Sequence, residues 1–181
     1  MENVLKTGKR EIEVPERYVV FDLETTGFSP EYAEIIEIGA VRMENGKRKD
    51  SFQSYVKPVR GIPAQITALT GITLKDTWNA PYVDEALCGF LSFIGSDTLV
   101  AHNAPFDCRF IGTICAFLGY SFENTVIDSL RLARKYIKSD NYKLETLKKL
   151  LGIRLSSHRA TDDCIVAGEV VEYCRRLSLG I

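Results

Sequence analysis

The stretch Tyr18 to Glu24, YVVFDLE, limits what this chain can fold into more than any other. Read as a β-strand, it puts Tyr18, Val20, Asp22 and Glu24 on one face and Val19, Phe21 and Leu23 on the other. It is a buried strand that ends in two acids, stopped by Thr25, Thr26 and Gly27. Asp22 and Glu24 stand together on one face, roughly 6 to 7 Å apart along the strand. In an arbitrary chain such a pair is solvated charge at a strand end, so the pair alone defines no site.

The next runs, EIIEIGAVRM from Glu34 and DSFQSYVKP from Asp50, are β-rich and joined by the turn sequence ENGK, which predicts an antiparallel meander of three strands. IPAQITALTGIT predicts a short helix ended by Gly71, and APYVDEALCGFLSFIG a longer one from near Pro81 to Gly95. TLVAHN is a short buried strand leading into a helix over APFDCRFIGTICAFLG. Beyond it, TVID reads as a strand, and SLRLARKYI, KLETLKKLLG and RATDDCIVAGEVVEYCRRL read as helices. Three meander strands followed by two that alternate with helices give an α/β fold, a mixed five-stranded sheet flanked by helices on both faces.

With 181 residues, 45% of them hydrophobic, and no linker or repeat, the chain suits one domain over residues 18–181, preceded by a loose arm over residues 1–17. A net charge of −1 excludes a protein that grips nucleic acid through a general positive field, so a polyanion must be held locally. The five cysteines are odd in number, form no C-x-x-C pair and lie in apolar segments, as reduced structural cysteines do. No apolar run approaches the roughly 18 to 20 residues of a membrane span, and the N-terminus lacks the apolar core of a secretory signal. The expected location is cytoplasmic.

Two helices carry one acid each on an otherwise apolar face. Asp107 continues the stripe of Phe110, Ile111, Ile114 and Leu118, and Asp163 continues that of Val166, Ala167, Val170 and Cys174. Asp162 is turned away by about 100°. Four inward-facing acids repel one another unless cations neutralise them. Arg109, Arg131 or Arg159 could do so, but spacing fixes none of them to the same face as the acids. Hard carboxylate oxygens suit Mg²⁺ or Mn²⁺, which take further ligands from water and substrate phosphates. The constellation predicts two divalent metal ions in a phosphate-cleaving site.

Both histidines precede these acids. His158, in the polar loop before Asp163, is placed to act as general base toward the attacking water. His102, followed by Asn103 at the end of a buried strand, suits hydrogen bonds that hold the loop before Asp107.

FDLETTG, HNAPFD and HRATDD resemble, in order and spacing, the three motifs of the DEDDh 3′→5′ exonucleases, which include the proofreading epsilon subunit and the exonuclease domain of bacterial DNA polymerase III. The resemblance runs from about Tyr18 to Leu177. It implies a ribonuclease H-like fold, Asp22, Glu24, Asp107 and Asp163 as metal ligands, and His158 as the catalytic base. ALTGIT resembles the family segment that packs against the terminal base, which makes Leu69 and Ile72 candidate wedges, with Phe106 beside the terminal nucleotide. The backbone around Thr26 and Gly27 could approach the terminal sugar because glycine has no side chain. Asp128 matches a recurring family position that helix capping explains.

The expected activity is release of nucleoside 5′-monophosphates from single-stranded or frayed 3′ ends, with DNA favoured and a DNA polymerase as a possible partner. RNA or short oligoribonucleotides are the alternative substrate, and a non-catalytic nucleic-acid-binding module is the alternative of another class. The chain ends soon after the third motif, which suits either a free-standing enzyme or an excised domain. Trp78, Tyr82 and Tyr142 are equally compatible with core, surface or base-stacking positions.

Overall fold

The apolar residues of segment 18–23 are buried without exception: Tyr18, Val19, Val20 and Phe21 are fully enclosed and Leu23 is 5% exposed. The computed structural model, which describes residues 14–155 and 159–180, builds around them. Segment 18–23 lies in β1 (Arg17–Thr25), followed by β2 (Ile35–Glu44), β3 (Lys47–Tyr55), α1 (Ala64–Thr70), α2 (Leu74–Thr77) and α3 (Val83–Ile94). Then come β4 (Leu99–Ala101), α4 (Pro105–Leu118), β5 (Val126–Asp128), α5 (Ser129–Tyr136), α6 (Leu144–Leu150) and α7 (Ala160–Leu179). The strands form one mixed five-stranded sheet in the order β3-β2-β1-β4-β5. Pairing is antiparallel from β3 through β1 and parallel from β1 through β5. This is the ribonuclease H-like arrangement implied by the sequence.

Alternation along β1 divides the core in two. Val19, Phe21 and Leu23 pack with Leu87, Phe90 and Ile94 of α3 and Phe110 and Ile111 of α4. Tyr18 and Val20 face the other way, onto Ala133, Leu147, Cys164, Val170 and Cys174 of α5, α6 and α7. A strand covered on both faces has no solvated side on which to carry charge, so its acids must lie at its end.

The β2–β3 connection is a two-residue turn in which Asn45 and Gly46 both have positive φ, 51° and 70°. That geometry matches the twist of a tight hairpin, and it lets β3 begin at Lys47, earlier than the expected Asp50. The one-turn helix α2 was not foreseen, because four residues show no hydrophobic period; its mark is the capping box between Thr73 and Asp76. Residues 14–17 of the expected arm are tied to the domain. Arg17 already belongs to β1, Val14 is 6% exposed, and Arg175 donates to the carbonyls of Val14 and Pro15 at 3.0 and 3.1 Å. Residues 1–13 lie outside the described residues. No helix among the described residues is long and apolar enough to cross a membrane.

The N-terminus of α7 meets β2 at Gly39, where a Cβ would lie 2.5 Å from the Ala160 carbonyl carbon. Gly39→Ala should therefore cost about 1–3 kcal/mol through overpacking. Gly112 in α4 has nothing within 4 Å of such a carbon, so Gly112→Ala should stabilise by up to about 1 kcal/mol through helix propensity. Urea midpoints of the two variants should move in opposite directions.

Candidate active site

The end of β1 is where the acids meet. A register shift between Glu24 and Thr25 skips Ile36 of β2, and the pairing resumes at Thr25 and Ile35. Asp22 and Glu24 lie on the face covered by α7, and Asp163 projects from the first turn of that helix. Carboxylate oxygens of Asp22, Glu24 and Asp163 all come within 4.8 Å of one another. Asp107, in the first turn of α4 and 3% exposed, arrives from the opposite layer and accepts a hydrogen bond from the Leu23 backbone N–H. All four acids line one cleft of ≈ 310 Å³, together with His102, Phe106, Lys143 and Glu145.

Burial raises the Asp22 pKa well above the usual carboxylate range, and the nearby charges of Asp107, Asp163, Glu24 and Glu37 push the same way. Glu24 is raised to about 8 by burial and by the charges of Asp163 and Glu37, with Arg159 opposing. Asp107 is raised to about 8, chiefly by burial. Of the three arginines considered from sequence, Arg109 donates to the Phe28 carbonyl at 2.8 Å and Arg131 is exposed on α5. Only Arg159 acts on the cluster, and its guanidinium is bonded to Glu37 at 3.3 Å. One such cation cannot neutralise four acids. The donor set is carboxylate throughout, and it fits hard divalent cations that keep part of their water shell.

Glu37 is a buried acid beside the site that the sequence reading missed. It stands directly across from Glu24 in the β1–β2 pairing and is 1% exposed. Like charges at that position are unfavourable, and the hydrogen bonds around Glu37 offset the penalty. Gln53 Nε2 donates to it at 2.9 Å, Arg159 Nη2 at 3.3 Å and the Ala160 backbone N–H at 3.3 Å. α7 has no side-chain cap of its own, so this carboxylate from a neighbouring strand serves its N-terminus. The available signal was one acid inside the apolar run IIEIGAV, in register with Gly39 and Val41.

The other expected positions are distributed unevenly. His158 lies outside the described residues. His102 is held by both ring nitrogens, Nε2 against the Tyr142 carbonyl at 2.8 Å and Nδ1 against the Ser129 hydroxyl at 2.9 Å. Burial lowers its pKa, so the ring is neutral, with Nε2 donating and Nδ1 accepting. Tyr142 is thereby tied into the site wall. Asn103 has φ 69°, and its N–H donates to Asp128 Oδ1, which also caps α5 by accepting from Leu130 N–H, both at 3.0 Å. Phe106 lines the cleft and packs on Phe110 with ring centres 5.1 Å apart. Thr26 bonds to Glu34 through its backbone N–H and its hydroxyl, each at 2.8 Å. A Cβ at Gly27 would lie 3.3 Å from Ala33, so this glycine already answers to internal packing. Leu69 is 54% exposed, as a wedge requires. Ile72 is 1% exposed, and an enclosed side chain cannot wedge against a base, so the structure corrects that expectation.

A family model described as an exonuclease matches residues 19–171. The chain is 44% identical over 161 residues to the DNA polymerase III PolC-type protein of Clostridium perfringens, covering 87% of this chain and 11% of that one. It thus spans a small part of the length of the curated relatives it matches. Among solved structures, exonuclease X in complex with 5′ overhanging duplex DNA aligns with a TM-score of 0.69 at 25% identity, covering 87% of this chain and 90% of that one. The nuclease domain of 3′hExo, a DEDDh family member bound to rAMP, aligns with a TM-score of 0.76 at 21% identity, covering 93% and 94%. This last likeness is one of fold.

The raised carboxyl pKa values set the pH response of the metal-free protein. Glu24 and Asp107 titrate near 8 when folded and near 4 when unfolded, so the unfolded chain releases their protons first. Stability should then fall as pH rises from about 4 to about 8. Melting temperatures in EDTA should decline over that window, and Mn²⁺, which replaces the protons, should remove the decline. Glu37→Ala should cost about 1–3 kcal/mol by leaving the Ala160 N–H unpartnered, and Glu37→Gln, which keeps an acceptor, should cost less in the same melts.

Proposed function

Because the chain belongs to the exonuclease family whose model spans residues 19–171, we propose that it removes nucleotides from the 3′ end of DNA as 5′-monophosphates, using divalent cations held by its carboxylates. One observation carries the proposal: acids from β1 and α7 converge to within 4.8 Å at the end of a buried strand, with a fourth from α4 in the same cleft. Such an arrangement has no use in stabilising the fold and suits binding of cations together with a phosphodiester.

Asp22, Glu24 and Asp163 would hold the ions, and Asp107 would do so directly or through a water. Bound there, two Mg²⁺ or Mn²⁺ ions would supply Lewis acidity to the attacking water and to the departing 3′ oxygen. The chain's own groups do the rest. His158, assigned from its place five residues before Asp163 in the sequence, takes the proton from the attacking water as the water oxygen bonds to phosphorus and the bond to the 3′ oxygen breaks. Asp128 and the neutral His102 hold the chain ahead of Asp107. Phe106 and Leu69 flank the terminal base, and the turn at Thr26 and Gly27 faces the terminal sugar. DNA is favoured over RNA because a relative at 44% identity is a DNA polymerase III of PolC type. The same relative suggests work beside a DNA polymerase.

With 5′-labelled single-stranded DNA and RNA and Mg²⁺ or Mn²⁺, the protein should shorten DNA from the 3′ end, more slowly digest RNA, and stop on addition of EDTA. His158→Ala and Asp22→Ala should each lower the rate by about a hundredfold or more. Products that start from the 5′ end, or undiminished cleavage by both variants, would sink the assignment.

A further inference from the structure

Segment 64–82 exposes four large apolar side chains: Leu69 at 54%, Leu74 at 53%, Trp78 at 69% and Tyr82 at 55%. Such a concentration along one stretch exceeds the scattered surface residues that need no explanation. Two of the four are aromatic and share a cation. The Lys57 ammonium lies 5.5 Å from the centre of the Trp78 ring and 5.6 Å from that of Tyr82. Lys57 forms no ion pair among the described residues, so its charge remains available to an anion. The backbone here is fixed: Lys57 N–H bonds to the Pro81 carbonyl at 2.8 Å, and Ala80 N–H bonds to that of Thr77 at 3.1 Å. The nearby acid Asp76 is committed to its capping box with Thr73.

The cluster adjoins the carboxylate cleft through Arg159. That guanidinium lies over the Tyr55 ring at 5.4 Å, two residues before Lys57, and bonds to Glu37 across from Glu24. It also contributes to the lowered pKa of Asp76, after the hydrogen bonds from Thr73, and opposes the raised pKa of Glu24. Arg159 is therefore within electrostatic reach of both Glu24 in the cleft and Asp76 of α2, the helix that ends just before Trp78. Tyr55 is the last residue of β3 and Lys57 follows it by two residues, so Arg159 and the Lys57 cluster stand at the same end of that strand.

We propose that Lys57, Trp78 and Tyr82 form a stacking platform for the single strand upstream of the nucleotide being removed. The platform rests on the exonuclease reading above and adds the surface that holds the rest of the substrate. Bases stack on the two rings, which tolerate any sequence, and the intervening phosphate pairs with the ammonium. For a chain with net charge −1, such local contacts replace the general positive field that it lacks. An apolar protein partner would use the rings but leave Lys57 without an anion.

Trp78 is the sole tryptophan of the chain, so its fluorescence reports this surface directly. In EDTA, where no cleavage occurs, an oligothymidylate of about ten nucleotides should quench it, and thymidine monophosphate should not. Trp78→Ala, Tyr82→Ala and Lys57→Glu should each raise KM for the long strand by about fivefold or more. Hydrolysis of the nitrophenyl ester of thymidine 5′-monophosphate, too short to reach the platform, should stay unchanged and also reports that each variant is folded. Fluorescence that ignores the oligonucleotide, with unaltered KM in Trp78→Ala, would overturn the platform. If neither substrate is hydrolysed by the parent chain, the exonuclease reading fails, and the fluorescence titration alone still decides whether the platform binds a strand.

Discussion

Mutual repulsion among Asp22, Glu24, Asp107 and Asp163 is the constraint around which the molecule is organised. Burial and like charge together raise three of these carboxyls far above their usual range, so the metal-free site holds protons that the unfolded chain would release. A cluster of this kind persists only where the surrounding fold over-determines it. Here β1 is enclosed on both faces by two apolar layers, each of which delivers one further acid to the strand's end. The stability of the scaffold is set against the crowding of like charge at the site.

Placement of α7 links these two sides. Gly39 lets the helix approach β2 until backbone meets backbone, and Glu37 reaches from the same strand to the first N–H of that helix and to Arg159. The acid that most resembles a fifth ligand is therefore turned to a structural purpose. It fixes the helix from which Asp163 projects, and it sits on the strand directly beside Glu24. Glu37 has an amide, a guanidinium and a backbone N–H around it, whereas Asp22 lies among the like charges of Asp107, Asp163 and Glu24.

Aromatic residues divide in the same manner. Phe106 is packed onto Phe110 at the edge of the cleft, whereas Trp78 and Tyr82 stand in solvent around one lysine. Phe106 is carried by α4, and backbone hydrogen bonds from Lys57 to Pro81 and from Ala80 to Thr77 brace the segment that carries Trp78 and Tyr82. A rigid aromatic surface binds with little loss of side-chain entropy, which suits contacts that must be made and released repeatedly.

Local periodicity was enough to determine a great deal. Two-residue alternation defined β1 and its pair of acids, and helical spacing placed Asp107 and Asp163 on core faces, because each pattern is written within a single element. A mixed sheet of five strands followed from hairpin and crossover signals in the same way, and its strand order came from the folded chain. What required tertiary structure was every relation between elements. Glu37 is one acid in an apolar run until α7 is docked against it. Ile72 and Leu69 read alike in sequence, and only packing buries one and exposes the other. Trp78 and Tyr82 could be core or surface until Lys57 was seen between them. Burial and electrostatic coupling depend on distances in space between residues far apart along the chain, and only the folded molecule sets those distances.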